Sequence, residues 1–293
     1  AQTVNSSTVE DILGTPAIEN PLSLAASIAL QNSGSSSIRV LRIASDDSQG
    51  YLNARSIINN DPNVYAIIPL TTDISVINTL VTDAVNASDN KFNFRIVIGA
   101  SEGAPTKKYW RGSESTYVDG EVSAVANDIA TLTDHAASFS TAASVGDKVE
   151  VYLASNPAVV RTTTIQSIVN NQSITIKYAN GQGLAAGAVK YNAYKDISAL
   201  KDEQVTVLND RISTHSSQKR LVMVYPGSCT VLGESGQPGY YLGAALGGML
   251  AAFEPHRPKN NIAISGIDDI AASNLGYFSD DQIDSLSDNG YFV

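Results

Sequence analysis

The stretch from Lys219 to Asn261 constrains this chain more than any other. It opens with Leu221-Val222-Met223-Val224-Tyr225, an apolar run rich in β-branched residues and stopped by Pro226-Gly227. Such a run reads as a short strand buried on both faces, and strands of that kind belong to parallel sheets covered by helices. A polar, Gly-rich loop is expected over Gly233 to Pro238. A helix over Gly239 to Phe253 then carries four glycines, at 239, 243, 247 and 248. Each Gly costs about 1 kcal/mol against Ala in a helix interior. The helix therefore requires a neighbour whose backbone comes close enough to offset that loss. Pro255 and Pro258 end it and set an extended exit.

The segments before that stretch alternate between helix and strand. Residues 1–15 read as an extended or loosely ordered polar entry. Asn20-Pro21 opens a helix whose apolar face is Leu22, Ala25, Ala26, Ala29 and Leu30, with Pro in the first turn. Ile38 to Ile43 reads as a strand, Asp46 to Gly50 as a solvated turn, and Leu52 to Asn60 as a short helix. Val64 to Leu70 reads as a second buried strand. Thr71-Thr72-Asp73 caps a helix to about Ala87, with Ile74, Ile77, Val81, Ala84 and Val85 in one stripe. Lys91 to Gly99 is a third strand. This β-α-β order implies a parallel sheet with right-handed crossovers. After residue 196 the pattern resumes, with a helix over Asp196–His215 that places Leu200, Val205, Leu208 and Ile212 near one face. Asn261 to Ile267 is expected as a short strand or extended arm. Ser279 and Gln282 form a capping box for a last helix, with Asp280 and Asp281 in its first turn and Gly290 closing it.

Residues 104–196 have a different texture. Val122 to Leu132 fits a short helix, and Lys148–Leu153, Val159–Ile165 and Ser173–Tyr178 fit short strands. Asn170-Asn171 and Asn180-Gly181 divide the last of these at turns. Such alternation describes a small antiparallel barrel or sandwich. The expected fold is therefore α/β, with a central, mainly parallel sheet flanked by helices. Residues 1–103 and 197–293 form its discontinuous core domain, and 104–196 form an inserted, β-rich domain.

Several of these segments resemble the core of contractile phage tail sheath proteins. They are the strand ending in Tyr225-Pro226, the small-residue helix, and Pro255-His256 after it. Asn63–Asp73, Phe94–Gly99 with its Arg95-Ile96 pair, and Gln282–Gly290 match in the same order. The resemblance covers about 1–103 and 197–293 and is absent from the insert, which it implies to face outward. It implies a virion structural protein that polymerises as stacked rings around a tail tube. Contraction then drives the tube through the host envelope. It implies copies of itself, the tail tube protein, and baseplate and tail terminator proteins as partners, with assembly in the host cytoplasm. It implies neither catalysis nor a cofactor. Sheath relatives carry a C-terminal domain after this point and swap strands through extended termini. The chain therefore reads as a piece of a longer polypeptide.

Charge and chemistry agree with a packing role. The formal net charge is −10, which argues against direct contact with nucleic acid or insertion at an anionic membrane surface, because both need concentrated Lys and Arg. No apolar run is long enough for a transmembrane helix. The single Cys229 leaves no internal disulfide or Cys-based zinc site and fits a reducing compartment. Gly99 to Gly103 is neither a dinucleotide fingerprint nor a P-loop. Cys229 has no local His signature, and Ser228 is outside G-x-S-x-G. His135, His215 and His256 show no metal spacing, and Asp46-Asp47 reads as a turn rather than a cation site. Asp268-Asp269 reads as a turn as well. No catalytic, cofactor-binding or metal residue is assigned. Trp110 fits either an interface anchor or a core position. Lys107, Lys108 and Arg111 are expected on the insert's outer side, where exchanging their charges leaves assembly intact. Two other classes remain open. One is an α/β hydrolase-like enzyme, recognised by labelling at Ser228 or Cys229. The other is a host-surface glycan-binding module, recognised by glycan binding to 104–196.

Overall fold

A computed structural model describes residues 1–34, 36–45, 47–91, 93–101, 103–123, 128–179, 184–216, 220–252, 263–270 and 278–292. The chain divides into two units, residues 1–104 with 205–293, and residues 105–204. The first unit begins with β1 (Gln2–Val4), α1 (Val9–Leu13), α2 (Pro21–Asn32), β2 (Ile38–Val40), α3 (Ser48–Asn59), β3 (Ala66–Ile67), α4 (Ile74–Lys91) and β4 (Ile96–Ala100). The second holds β5 (Lys107–Arg111), β6 (Val118–Val122), β7 (Ile129–Thr133), α5 (Phe139–Ala142), β8 (Lys148–Leu153), β9 (Arg161–Asn170), β10 (Ser173–Lys177) and β11 (Gly187–Asp196). Helix α6 (Lys201–Ser216) follows. Then come β12 (Leu221–Val224), β13 (Ser228–Val231), β14 (Glu234–Pro238), α7 (Tyr240–Ala252), α8 (Asp280–Asp288) and β15 (Tyr291–Phe292).

The first unit is built on a parallel sheet in the order β15-β12-β4-β3. Successive side chains of a strand point to opposite faces, and the two cores follow that alternation. Val97, Leu221 and Met223 pack with Ile77, Leu80 and Val81 of α4, Leu208 and Ile212 of α6, and Leu286 of α8. Ile98, Ala100 and Val224 pack with Leu24, Ala25 and Ile28 of α2 and Leu242, Ala245 and Leu246 of α7. The glycines of α7 have the neighbour they require. A Cβ built on Gly248 would lie 2.1 Å from the carbonyl oxygen of Ala29 on α2. The two helices thus touch backbone to backbone, where no side chain fits.

Several local expectations need correction. The entry is not simply extended, because β1 pairs antiparallel with β2 and α1 lies between them in the chain. Helix α3 starts at Ser48, since the Asp47 carboxylate accepts the Gly50 N–H at 2.8 Å as its N-cap. The strand expected over Val64–Leu70 keeps only Ala66 and Ile67. Helix α6 begins at Lys201, because β11 runs to Asp196, whose carboxylate accepts the Ser198 N–H at 3.0 Å. The loop expected at Gly233–Pro238 is half of a hairpin, β13 with β14, closed by Leu232 and Gly233 at φ +53° and +78°. Both residues at positive φ give the turn whose twist matches a two-residue hairpin. Ala263 to Ile267 form no strand, while Asn261 and Ile262 in that expected arm lie outside the described residues. Asn32 instead brackets Ser265, accepting its N–H at 3.0 Å and donating to its carbonyl at 2.9 Å. The capping box at Ser279 and Gln282 is present.

The second unit is a closed antiparallel barrel. Six strands run β11-β6-β7-β10-β9-β8, and β8 pairs back onto β11. Strand β5 adds to β11 alongside. The helix expected over Val122–Leu132 is absent from the described residues. Val122 ends β6, Ile129–Thr133 is β7, and Val122 faces Leu132 across the ladder. Ile129 to Thr133 alternates at period two, burying Ala130 and Leu132, which suits a barrel wall. Val149, Val151, Ile165, Ile174, Ile176 and Tyr191 fill the interior, together with Phe139 from α5. No helix among the described residues is long and apolar enough to cross a membrane.

Candidate functional site

Strand β3 ends the parallel sheet on its side. Ile96 donates its N–H to the Tyr65 carbonyl at 2.9 Å, so Tyr65 and Ile67 face β4. Along a strand the backbone groups alternate in direction. Ala66 and Ile68 therefore turn theirs to the free edge, where no described residue pairs with them. A cleft of about 770 Å³ borders this edge. Leu22 and Ala25 of α2, Ile38, Val40, Leu41 and Ile43 of the β2 segment, Ala54, Ile57 and Ile58 of α3, and Ala244 and Gly247 of α7 line it. Two of its large apolar residues stay well exposed, Ile57 at 47% and Tyr65 at 43%. An unpaired strand edge beside exposed apolar surface is a template for another chain.

The charges around the cleft are arranged in depth. Arg39 pairs with Asp61 across it. Arg42 is exposed at the cleft and forms no ion pair with a described residue. Behind Asp61 lies Arg95, 0% exposed. Its guanidinium donates to Asn59 Oδ1 at 3.2 Å and to the Asp61 carbonyl at 2.5 Å. Burial depresses its pKa, opposed by the charge of Asp83. Arg55 holds Asp83 through two bonds of 2.5 Å. These contacts lock the end of α3, one wall of the cleft, to α4 and β4. Sequence reasoning placed Arg95 only as part of a matching strand. Its burial was not visible, because charged residues at a strand start usually reach solvent.

The residues considered for chemistry take other roles. Cys229 is buried in β13, and burial pushes its thiol up to about 11, so it stays protonated near neutral pH and is a poor nucleophile. Its Sγ points to the Pro238 carbonyl at 3.8 Å. His135 is exposed, and its carbonyl accepts the Gln172 amide at 3.1 Å. His256 and the side chain of His215 lie outside the described residues, as does Asp46. Asp268 accepts the Gly233 N–H at 2.7 Å, and Asp280 and Asp281 sit in the first turn of α8. Among the described residues no group of three His, Cys, Asp or Glu is placed to hold a metal ion.

Two groups singled out in the second unit gain defined contacts. Trp110 is half-buried against the barrel core, edge-on to Phe139, with its indole N–H donating to Asp147 at 3.0 Å. Lys107, Lys108 and Arg111 are partly exposed and ion-paired. They pair with Glu150 at 2.8 Å, Glu203 at 2.6 Å and Asp134 at 2.6 Å. Exchanging their charges would break all three pairs.

No protein-family model matches the chain, and no curated protein matches it. The cleft is therefore read from its own geometry. It offers backbone donors and acceptors, apolar walls and an exposed Arg42 that pairs with no described acid, which together suit another polypeptide better than a small polar substrate.

Proposed function

We propose that this chain is a structural subunit of a contractile tail sheath. The observation that carries the proposal is the edge of β3, paired with no described residue, beside an apolar cleft, a surface suited to contact between subunits. The order of segments resembling sheath proteins adds the specific class. In this role, copies stack as rings around a tail tube, with baseplate and terminator proteins at the ends, in the virion of a phage. Contraction moves rigid subunits between two arrangements, and the free energy resides in the difference between their contacts. The role needs neither catalysis nor a cofactor, and the sheet flanked by helices serves as the rigid body. Negative-stain imaging with sedimentation velocity over a concentration series tests it. Rings, tubes or concentration-dependent oligomers are expected. Monodisperse monomers at every concentration would sink it.

A second reading has one observation in its favour. On the barrel, Tyr117 lies edge-on to Tyr152 at 5.1 Å, Tyr109 is tilted against Tyr194 at 5.4 Å, and Glu150 accepts from Tyr117 and Tyr194 at 3.3 Å. The hydroxyl of Tyr109 and Oδ1 of Asn192 are buried there without a partner among the described residues. Aromatic rings beside a carboxylate suit a glycan. A glycan array probed with residues 105–204 checks this, and silence across the array counts against it.

A further inference from the structure

Leu232 departs from the other exposed apolar residues in its backbone. It takes the first position of the β13–β14 turn at φ +53° and leaves 58% of its surface in solvent. Asn, Asp and Gly are the residues that fit that position. A bulky side chain in the left-handed region is an outlier, and such strain gathers at functional contacts. Exposure and strain both work against the isolated chain. The support beneath the tip is nonetheless firm. Gly233 donates to the Asp268 carboxylate at 2.7 Å, and Thr230 exchanges backbone bonds with Asp268 and Asp269 at 2.9 Å and 2.7 Å. The hairpin thus holds an aliphatic knob in a fixed place. Glu234 follows it, exposed and without an ion pair among the described residues.

The β3 cleft complements this tip. Its walls are aliphatic, its volume of about 770 Å³ admits a hairpin tip, and Arg42 stands exposed at it. We propose that Leu232 of one copy inserts into the β3 cleft of a second copy, with Glu234 meeting Arg42. The occupant is a second copy because one chain carries the apolar knob with its acid and the apolar hole with an exposed cation, Arg42, that pairs with no described acid. Knob and hole are different surfaces, so the contact is heterologous. A pair joined this way keeps one knob and one hole unused, one on each copy, and the contact propagates into a ring or a helix. This inference rests on the assembly reading above and names the contact that reading needs.

The test uses the full 293-residue chain. Leu232→Cys in one preparation and Ile57→Cys in another are mixed and oxidised with copper phenanthroline. A disulfide-linked heterodimer is expected. The native Cys229 stays, since it is buried and its thiol is raised to about 11. Absence of the heterodimer at all concentrations overturns the contact. Leu232→Asn removes the knob but suits the turn. It is expected to raise the thermal midpoint by about 2–4 °C while weakening self-association at least tenfold. Unchanged self-association of that variant overturns the contact even if the cross-link forms. Arg42→Glu weakens association, and Glu234→Arg in the second component restores it. A wild type that associates while the cross-link fails refutes the contact and leaves the assembly reading standing. A wild type that stays monomeric refutes both.

Discussion

Gly248 has no room for a methyl group. Its Cβ would sit 2.1 Å from the Ala29 carbonyl oxygen, so α2 and α7 would have to separate. Gly248→Ala gains about 1 kcal/mol of helix propensity, and overpacking of this kind costs about 1–3 kcal/mol or more. The overpacking wins, and the variant is expected to be destabilised. Gly243, on the same helix, offers the control. Its Cβ would meet Ile98 Cγ2 at 3.5 Å, an ordinary contact, so Gly243→Ala should be neutral or stabilising by up to about 1 kcal/mol. Urea midpoints measured for both variants decide the matter, and equal shifts would refute the close-approach argument. At Asp134, burial alone would raise the carboxyl. The Tyr191 hydroxyl, the Ala136 N–H and the Arg111 guanidinium outweigh it, and the net shift is downward. A depressed folded pKa contributes stability that is complete above the unfolded value of about 3.9 and is lost as pH falls through the folded value. Asp134→Asn lacks this contribution. It should be less stable than wild type at pH 7 by about 2 kcal/mol, and the gap should narrow as pH drops below about 4. A gap that stays constant from pH 7 to pH 2 would show that the carboxylate charge does not matter.

At the scale of elements, ends decide where helices lie. Ser279 donates its N–H to Gln282 at 3.0 Å, and the reciprocal bond completes the box that starts α8. Leu286 of α8 is fully buried against the parallel sheet, and β15 follows directly, pairing parallel with β12. Ser279→Ala should therefore cost about 1 kcal/mol, read as a lower thermal midpoint. It should also speed amide exchange at Tyr291 and Phe292. Unchanged exchange there would mean that β15 is held without help from the capped helix. Asp47 plays the same part for α3, and Asp47→Ala should fray the wall of the cleft that carries Ala54 and Ile57.

Over the whole molecule, the two units solve the edge problem in opposite ways. The barrel closes on itself through β8 and β11 and contains its own apolar core. Closure protects the edges of the six barrel strands, so residues 105–204 expressed alone are expected to unfold in one cooperative transition by circular dichroism. A broad, non-cooperative melt would mean that its core is incomplete. The parallel sheet instead ends at β3 with backbone groups that pair with no described residue, and that difference is why the contact is proposed on the first unit.

The sequence by itself determined what depends on neighbours along the chain. The buried strand at Leu221–Val224, the small-residue helices α2 and α7, the capping box at Ser279 and the β-rich character of the insert were all legible, because periodicity and capping chemistry are local. Only the tertiary structure decided what depends on distant partners. Val122 and Ile129–Thr133 became strands because barrel closure supplied hydrogen bonds from β6, β7 and β10. Lys107, Lys108 and Arg111 became ion-paired because Glu150, Glu203 and Asp134 fold against them. Arg95 was buried because Asn59 and Asp61 come to it from the end of α3. The cleft belongs to this second class. Its walls come from segments far apart in the chain, and no local pattern encodes a space between elements.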